Sequence, residues 1–287
     1  MINYNSVTEL KAFLKENNLG MRKKFGQNFL INPHIRHALI NALDAPAGEA
    51  VWEIGPGLGA MTDLLLEKGL HVRAFEIDKG FVSILNNIFS QNKNFTLVEG
   101  DVLSTWQRQP SARYLLGNLP YNIGATLLAG FIEQGRLFKR MVVTVQLEVA
   151  RRMAASPGSA DYSSFSVVCA SAYKIKPLMV IKSAAFYPRP NVDSQAVLLE
   201  LGDEVSASAA PACFYPLVRQ LFSSRRKMIK NNLAAFFAGR NTGQQTPAET
   251  AALALDKCGI DGNKRAEDLA PADFYSLAKT IEGMGIL

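Results

Sequence analysis

The sequence contains few cysteines and few histidines. Its three cysteines, Cys169, Cys213 and Cys258, are far apart and odd in number, so they indicate neither a disulfide framework nor a zinc site. His34 and His37 could share one helix face, but no third ligand lies near them in the sequence. We therefore expect no bound metal and a reducing, cytoplasmic setting.

Long apolar runs are also missing. No run approaches the roughly 18 residues that a membrane-spanning helix needs. The N-terminus has no charged segment followed by an apolar core. The sequence therefore predicts no membrane contact and no secretory signal.

The composition is that of a globular chain with a modest basic excess. The 287 residues are 48% hydrophobic and 20% charged, with a formal net charge of +6 and a pI near 9.2. A Ser- and Ala-rich stretch from Gly202 to Pro211 is followed by helical patterns, so we expect domains over 1–202 and 203–287. The basic excess is compatible with a polyanionic partner but does not establish nucleic-acid binding.

A glycine-rich turn follows the first predicted strand of an α/β pattern. The strand, residues 51–54, precedes Gly55, Gly57 and Gly59 and then a helix, which is how a doubly wound sheet begins. With Glu53 the spacing is E-x-G-x-G-x-G, as in methyltransferases that use S-adenosylmethionine, and not the dinucleotide G-x-G-x-x-G. An NAD-dependent oxidoreductase is the alternative. It is disfavoured by this spacing and by the lack of an evident hydride-transfer acid.

Acidic side chains follow the next two predicted strands. Glu76 lies about 20 residues beyond the glycine turn, where an acid that binds a ribose is expected. Asp78 is the alternative, and it could instead cap a helix. Asp101 follows the third strand and could accept from the exocyclic amine of a cofactor adenine. Any one acid at a strand end is more often a turn residue, but acids at successive strand ends beside a glycine turn form a site.

The stretch Asn118-Leu119-Pro120-Tyr121 follows the fourth apolar strand. Open α/β sheets bind ligands at such strand ends. Pro120 makes the turn stiff, with backbone carbonyls that can point outward. Carbonyl acceptors from Asn118 and Leu119 would favour a pyramidal, nucleophilic nitrogen on a bound adenine, while Tyr121 stacks on the base. An ordinary exit from strand to turn is the alternative.

Phe186 begins a proline-rich stretch with a rigid, extended path. It could supply the second face of a sandwich around a flipped-out base, opposite Tyr121. A buried anchor for the loop is the competing interpretation.

Two basic clusters could contact phosphates without sequence preference. Arg22, Lys23 and Lys24 lie beside aromatic residues, and this segment continues to Asn28 and Leu30, which could fold over a cofactor. Arg225, Arg226 and Lys227 lie with Lys230 on about one and a half turns of a predicted helix. A solvated loop and a solvated helix face are the respective alternatives.

Together these motifs closely resemble the rRNA adenine N6-dimethyltransferase family, over nearly the whole chain. The resemblance implies a Rossmann-like, S-adenosylmethionine-dependent methyltransferase sheet with a small all-α C-terminal domain. The stretches that carry it are Arg22 to Leu30, Glu53 to Gly59, Glu76 to Asp78, Gly100-Asp101, Asn118 to Tyr121, Phe186 to Val192 and Ser224 to Lys227.

The resemblance also implies residue roles. Asn118, Leu119, Tyr121 and Phe186 would contact the target base. S-adenosylmethionine would lie against Asn28, Leu30, Gly55, Gly57, Glu76, Asp101 and Asn118.

The small-subunit branch of the family dimethylates two adjacent adenosines in the 3′-terminal hairpin loop of 16S rRNA. The stretch from Ser223 to Lys230 and the long helical C-terminus favour this branch over relatives that act on large-subunit rRNA. The implied partner is small-subunit rRNA within an immature small ribosomal subunit, and we expect a monomer. An RNA-binding assembly factor that keeps the fold without catalysis is the alternative from another functional class.

Overall fold

The computed structural model describes residues 2–20, 27–202 and 210–286. Contacts divide the chain into two compact units. The first consists of Met1–Leu128, Arg136–Ala150 and Ile175–Leu201, and the second of Ala129–Gly135, Arg151–Lys174 and Gly202–Leu287. The second unit therefore includes two stretches, 129–135 and 151–174, that precede the expected boundary at residue 202.

In the described part of the chain, seven strands form one sheet: β2 (Ala50–Ile54), β3 (His71–Glu76), β4 (Phe95–Glu99), β5 (Tyr114–Asn118), β6 (Arg140–Gln146), β7 (Tyr173–Ile181) and β9 (Ser194–Leu201). Their order across the sheet is β4-β3-β2-β5-β6-β9-β7. Neighbouring strands from β4 to β6 are parallel, whereas β9 pairs antiparallel with β6. This arrangement confirms the predicted doubly wound α/β class.

The central strands are apolar along their length because helices cover both faces of the sheet. Leu115 of β5 and Val142 of β6, for example, are fully buried. The helices that precede or connect the parallel strands are α2 (Pro33–Leu43), α3 (Ala60–Glu67), α4 (Lys79–Phe89), the short α5 (Val102–Thr105) and α6 (Gly124–Glu133).

The order of the strands reverses between β2 and β5. From β2 the chain continues to β3 on one side, and β5 later takes the place on the other side. Ile54 at the end of β2 is opposite Gly117 near the end of β5. In open α/β sheets this reversal leaves a crevice at the carboxyl ends of the strands, where ligands bind.

A second, two-stranded sheet joins distant parts of the first unit. Strand β1 (Phe29–Leu30) pairs antiparallel with β8 (Phe186–Tyr187), so that Leu30 is opposite Phe186. Helix α1 (Val7–Glu16) precedes β1, and Ser6 caps its N-terminus by accepting from the Glu9 backbone N–H.

The second unit is helical. Helix α7 (Leu147–Met153) leads into it, and α8 (Ser164–Ala170), α9 (Phe214–Leu221), α10 (Ile229–Phe237), α11 (Pro247–Lys257) and α12 (Pro271–Gly283) follow. None of the described helices combines the length and the apolar character needed to cross a bilayer.

The predicted helix over Ser223 to Lys230 is wrong for most of its length. Residues 222–227 form turns, and α10 begins at Ile229. The buried amide of Asn232 donates to the carbonyls of Leu221 and Ser224, at 2.9 and 3.1 Å, and so stabilises the turn where α9 ends. The basic residues 225–227 therefore lie on a turn between two helices and not on a helix face.

Candidate active site

A cavity of about 260 Å³ opens at the carboxyl ends of β2, β3, β4 and β5 in the first unit. Its position is the crevice expected for a doubly wound sheet, and its size suits a small molecule. Of the seven residues predicted to bind a cofactor, six line it: Asn28, Gly55, Gly57, Glu76, Asp101 and Asn118.

The glycine turn has a backbone that other residues rarely adopt. Gly55, Gly57 and Gly59 have φ angles of +70°, +60° and +93°. A Cβ atom on Gly57 would lie only 2.8 Å from Cε1 of Phe29, which also lines the cavity. Glycine is thus needed at residue 57 both for the left-handed conformation and for the close approach of β1.

The Glu76 carboxylate is positioned by backbone N–H groups. It is 6% exposed, and its Oε1 accepts from the Asp78 N–H at 2.8 Å. The N–H groups of Gly57 and Ile77 also donate to it. Burial raises its pKa to about 7, although these hydrogen bonds oppose the shift. A buried acceptor at this strand end suits the hydroxyl groups of a ribose.

Asp78 and Asp101 both cap helices. Asp78 accepts from the Gly80 N–H at 2.9 Å and from Gln27 Nε2 at 3.0 Å, so the predicted alternative of a helix cap is the geometry observed for it. Asp101 accepts from the Leu103 N–H at 2.9 Å through Oδ1. Because Asp101 also lines the cavity, its second oxygen can accept a hydrogen bond from a ligand.

Glu53 lies beneath the glycine turn and is fully buried. Its Oε2 accepts from the Thr62 hydroxyl at 2.6 Å, and its Oε1 has no partner among the described residues. Burial raises its pKa to about 7, and the negative charge of Glu76 adds to the shift.

The Asn118 amide has a defined orientation. Its Nδ2 donates to the Asn28 carbonyl at 2.7 Å, and since a carbonyl can only accept, the atom facing Asn28 must be the nitrogen. The Oδ1 atom is then available as an acceptor. The next residue, Leu119, is buried and donates its N–H to the Thr144 carbonyl at 3.0 Å, while its own carbonyl accepts no hydrogen bond from the described residues. The turn beyond them is closed by the Pro120 carbonyl, which accepts from two backbone N–H groups.

Of the four residues predicted to contact a base, Leu119, Tyr121 and Phe186 are not among those that line this cavity. Tyr121 is half-buried, its hydroxyl lies 2.5 Å from the buried Ser194 hydroxyl, and burial raises its pKa. Phe186 is 3% exposed and packs in the hydrophobic core with Leu30. The competing interpretation of Phe186 as a buried anchor describes this geometry, and its contact with a base remains a prediction.

Leu30, the seventh predicted cofactor residue, is also separate from the large cavity. It is 5% exposed and lines a smaller adjoining cavity of about 40 Å³. The sequence did not indicate another residue of that cavity, Arg36, because a cation within a helical pattern is normally exposed. Arg36 is 4% exposed.

The basic cluster of the second unit has residues in different environments. Arg225 pairs with Glu267 at 2.9 Å and donates to the Ala160 carbonyl. Arg226 and Lys227 are exposed and make no ion pair with any described residue. Arg22, Lys23 and Lys24 lie outside the described residues, so their predicted contact with RNA remains a prediction.

Residues 18–282 match the family model for ribosomal RNA adenine dimethylases. The chain belongs to the ribosomal RNA adenine dimethylase family. It is 46% identical over 285 residues to the ribosomal RNA small subunit methyltransferase A of Treponema denticola, with 97% of this chain and 96% of that protein covered. The protein of the same name from Treponema pallidum (strain Nichols) is 42% identical over 290 residues, with 98% of each chain covered.

A solved dimethylase structure shows the same fold. The dimethyladenosine transferase of Plasmodium falciparum is 25% identical, with a TM-score of 0.76 over 89% of this chain and 98% of that one. These comparisons confirm the predicted family, enzyme class and cofactor, S-adenosylmethionine.

The cavity of this dimethylase fits that cofactor. Glu76 and Asp101 supply acceptors for a nucleoside. Gly57, which has no Cβ atom, allows the Phe29 ring to pack against the turn at the edge of the cavity. Among the described lining residues none is Lys or Arg. The nucleoside part of S-adenosylmethionine carries no phosphate and so needs no cation at this lining.

Proposed function

We propose that the protein dimethylates N6 of two adjacent adenosines in the 3′-terminal hairpin loop of 16S rRNA. The observation that carries this proposal is the hydrogen bond between Asn118 Nδ2 and the Asn28 carbonyl. It leaves the Asn118 Oδ1 as an acceptor at the cavity, and the carbonyl of the next residue, Leu119, accepts from no backbone N–H of the described residues. Two such acceptors would suit an amino group with two N–H bonds.

The chain's residues act by positioning. S-adenosylmethionine, when bound, supplies a methyl group on a positively charged sulfonium. Asn118 and Leu119 accept the two N–H groups of adenine N6, which favours the pyramidal nitrogen needed for attack and orients its lone pair. A strong base is unnecessary, because the amine becomes acidic only as the new bond forms.

The second transfer requires the same acceptors to tolerate a methyl group. After the first transfer the nitrogen keeps one N–H, so only one of the two carbonyl oxygens can still accept. The site must then admit the first methyl group at the position of the lost N–H. Loss of one of these two oxygens would therefore slow one of the two methyl transfers more than the other.

The proposed base site uses Tyr121 and Phe186 on opposite faces of the adenine. The hydrogen bond to Ser194 supports a fixed orientation for the Tyr121 ring. Phe186 would have to become accessible when RNA binds, because only 3% of it is exposed. Base extrusion into such a pocket is the usual solution for enzymes that modify a base.

RNA binding outside this pocket is assigned to the basic clusters. We propose that residues 1–202 carry out methyl transfer and that residues 203–287 contact RNA through Arg225, Arg226 and Lys227. Arg22, Lys23 and Lys24 would add contacts from the N-terminal part. The proposed substrate is an immature small ribosomal subunit, bound by a monomer in the cytoplasm.

The test is transfer of labelled methyl groups from S-adenosylmethionine, followed by nucleoside analysis of the RNA. Immature small subunits, naked small-subunit RNA and large subunits are compared. Dimethyladenosine at two adjacent loop positions, formed on small-subunit particles, is the expected result. Label on large-subunit RNA would contradict the substrate, and cofactor binding without any transfer would favour an assembly factor.

A further inference from the structure

A buried arginine lies next to the candidate active site. Arg36, in the first turn of α2, is 4% exposed. Its Nη1 donates to the Leu30 carbonyl at 2.7 Å, and its Nη2 donates to Asn5 Oδ1 at 2.5 Å. Its Nε is buried and has no hydrogen-bond partner among the described residues.

This guanidinium also has no counterion within the described chain. Arg36 takes part in none of the ion pairs between described residues. The neighbouring Tyr4 cannot supply the charge, because burial raises the pKa of its hydroxyl, which donates to the Leu58 carbonyl at 3.0 Å. A buried cation without an anion is costly, so an anionic ligand would stabilise this arrangement.

The place for such an anion is the smaller cavity. Arg36 lines it together with Asn28, Gly55, Gly57 and Asn118, and these four residues also line the large cavity. Its volume of about 40 Å³ is enough for two or three water-sized groups but not for a nucleoside. It therefore suits a small charged end of a ligand whose larger part occupies the adjoining cavity.

We infer that Arg36 binds the α-carboxylate of the amino-acid part of S-adenosylmethionine. The inference rests on the cofactor assigned above. A guanidinium has five N–H groups, and two of those of Arg36 donate to Leu30 and Asn5. The Nε–H and a remaining Nη–H can bind a carboxylate through two parallel hydrogen bonds.

Calorimetric binding of S-adenosylhomocysteine and of its decarboxylated analogue tests the inference without catalysis. The wild-type protein should bind the first ligand about 10- to 100-fold more tightly. In Arg36→Leu the two affinities should become equal to within about threefold. Arg36→Lys keeps the charge but not the paired donors, so its discrimination should be intermediate.

Asn5→Ala is the matched control, because it removes one partner of Arg36 and leaves the guanidinium. It should keep the full discrimination between the two ligands. If Arg36 serves only to connect the N-terminal segment to β1, then Asn5→Ala and Arg36→Leu should each lower the affinities for the two ligands by the same factor. This result would overturn the inference.

Two further outcomes separate this inference from the proposed function. Equal binding of both ligands by the wild-type protein would overturn the role of Arg36 and leave the cofactor assignment intact. Binding of neither ligand would overturn both. If Arg36→Leu does not fold, as judged by circular dichroism, the reduced discrimination expected of Arg36→Lys decides the question.

Discussion

At the scale of the single residue, Asn118 combines a structural and a chemical hydrogen bond. Its Nδ2 donates to the Asn28 carbonyl, so the same side chain connects β5 to the segment before β1 and presents Oδ1 beside the cavity. An aspartate could not make the first bond, and an alanine could make neither.

Asn118→Ala should therefore reduce turnover much more than cofactor affinity. We expect the single-turnover rate of methyl transfer to fall by at least about 100-fold, as for other preorganised groups at a reacting centre. Calorimetry should show less than about a 10-fold loss in S-adenosylhomocysteine affinity. Asn122→Ala, which also alters a cavity-lining amide, is the control and should have a much smaller effect on the rate. An unchanged rate for Asn118→Ala would contradict the assignment of the site.

Glu53 provides a prediction about pH in the cofactor-free protein. Its pKa is about 7 in the folded state against 4.5 for the ordinary side chain. Between these values the folded state binds more protons than the unfolded state, so the Glu53 contribution to the free energy of unfolding falls as pH rises. The destabilising effect of the buried Glu53 charge is absent below about pH 4.5 and complete above about pH 7.

The matched variant is Glu53→Gln, whose amide oxygen can still accept from Thr62. Relative to the wild type, this variant should gain about 1 to 3 kcal/mol of stability between pH 5 and pH 8. Urea unfolding at several pH values measures the difference. A difference that stays constant over this range would contradict the raised pKa.

At the scale of the element, the glycine turn connects β2 to α3 and contacts β1. Gly57→Ala should combine a left-handed backbone, which costs about 1 to 2 kcal/mol for alanine, with a clash against the Phe29 ring. We expect a total loss of about 2 to 4 kcal/mol in the free energy of unfolding and at least a 10-fold loss in cofactor affinity.

The control for this turn is Gly48→Ala. Gly48 has a φ of +85°, but no atom lies within 4 Å of its added Cβ, so only the backbone strain remains. It should cost about 1 to 2 kcal/mol in unfolding measurements and leave cofactor affinity unchanged. Equal effects of the two substitutions would show that the approach of Phe29 is unimportant.

Elements with a strong local pattern could be predicted from the sequence. The parallel strands β2 to β6 are short apolar runs bounded by turn residues, and the spacing of Gly55, Gly57 and Gly59 predicts the turn that follows β2. Glu76 and Asp101 could be assigned to the cavity because parallel strands end at one edge of a sheet. Local pattern and strand order together were sufficient for these residues.

Elements that depend on distant contacts could not be predicted in this way. Strands β1 and β8 have two residues each, which is too short for periodicity, and they pair across more than half of the chain. The turn at residues 222–227 depends on the Asn232 side chain, and the sequence of this basic stretch is equally compatible with a helix. The burial of Arg36 is likewise visible only in three dimensions.

At the scale of the whole molecule, charge in the second unit should affect RNA binding but not cofactor binding. The double variant Arg226→Ala, Lys227→Ala removes two exposed cations that have no ion pair among the described residues. The slope of log K for RNA against log salt concentration should become shallower by about 1 to 2 units, with unchanged affinity for S-adenosylhomocysteine.

A control with the same change in net charge is Lys68→Ala, Arg113→Ala in the first unit. Both side chains are exposed; Lys68 donates to Asn41, and Arg113 forms an ion pair with Glu49 at 3.0 Å. This control should alter the slope less. Equal changes in the two double variants would show that overall charge, and not the turn at residues 225–227, determines RNA affinity.

The pairing of β1 with β8 also has a consequence for the timing of synthesis. Strand β8 is synthesised about 160 residues after the segment that contains Asn28, which takes roughly 10 to 30 s at elongation rates of about 5 to 20 residues per second. A nascent chain that ends before residue 186 lacks that partner. In a timed translation, protection of the chain by S-adenosylhomocysteine against proteolysis should therefore begin only after this interval, because an unfinished chain lacks one of the two strands that hold the Asn28 segment against the cavity.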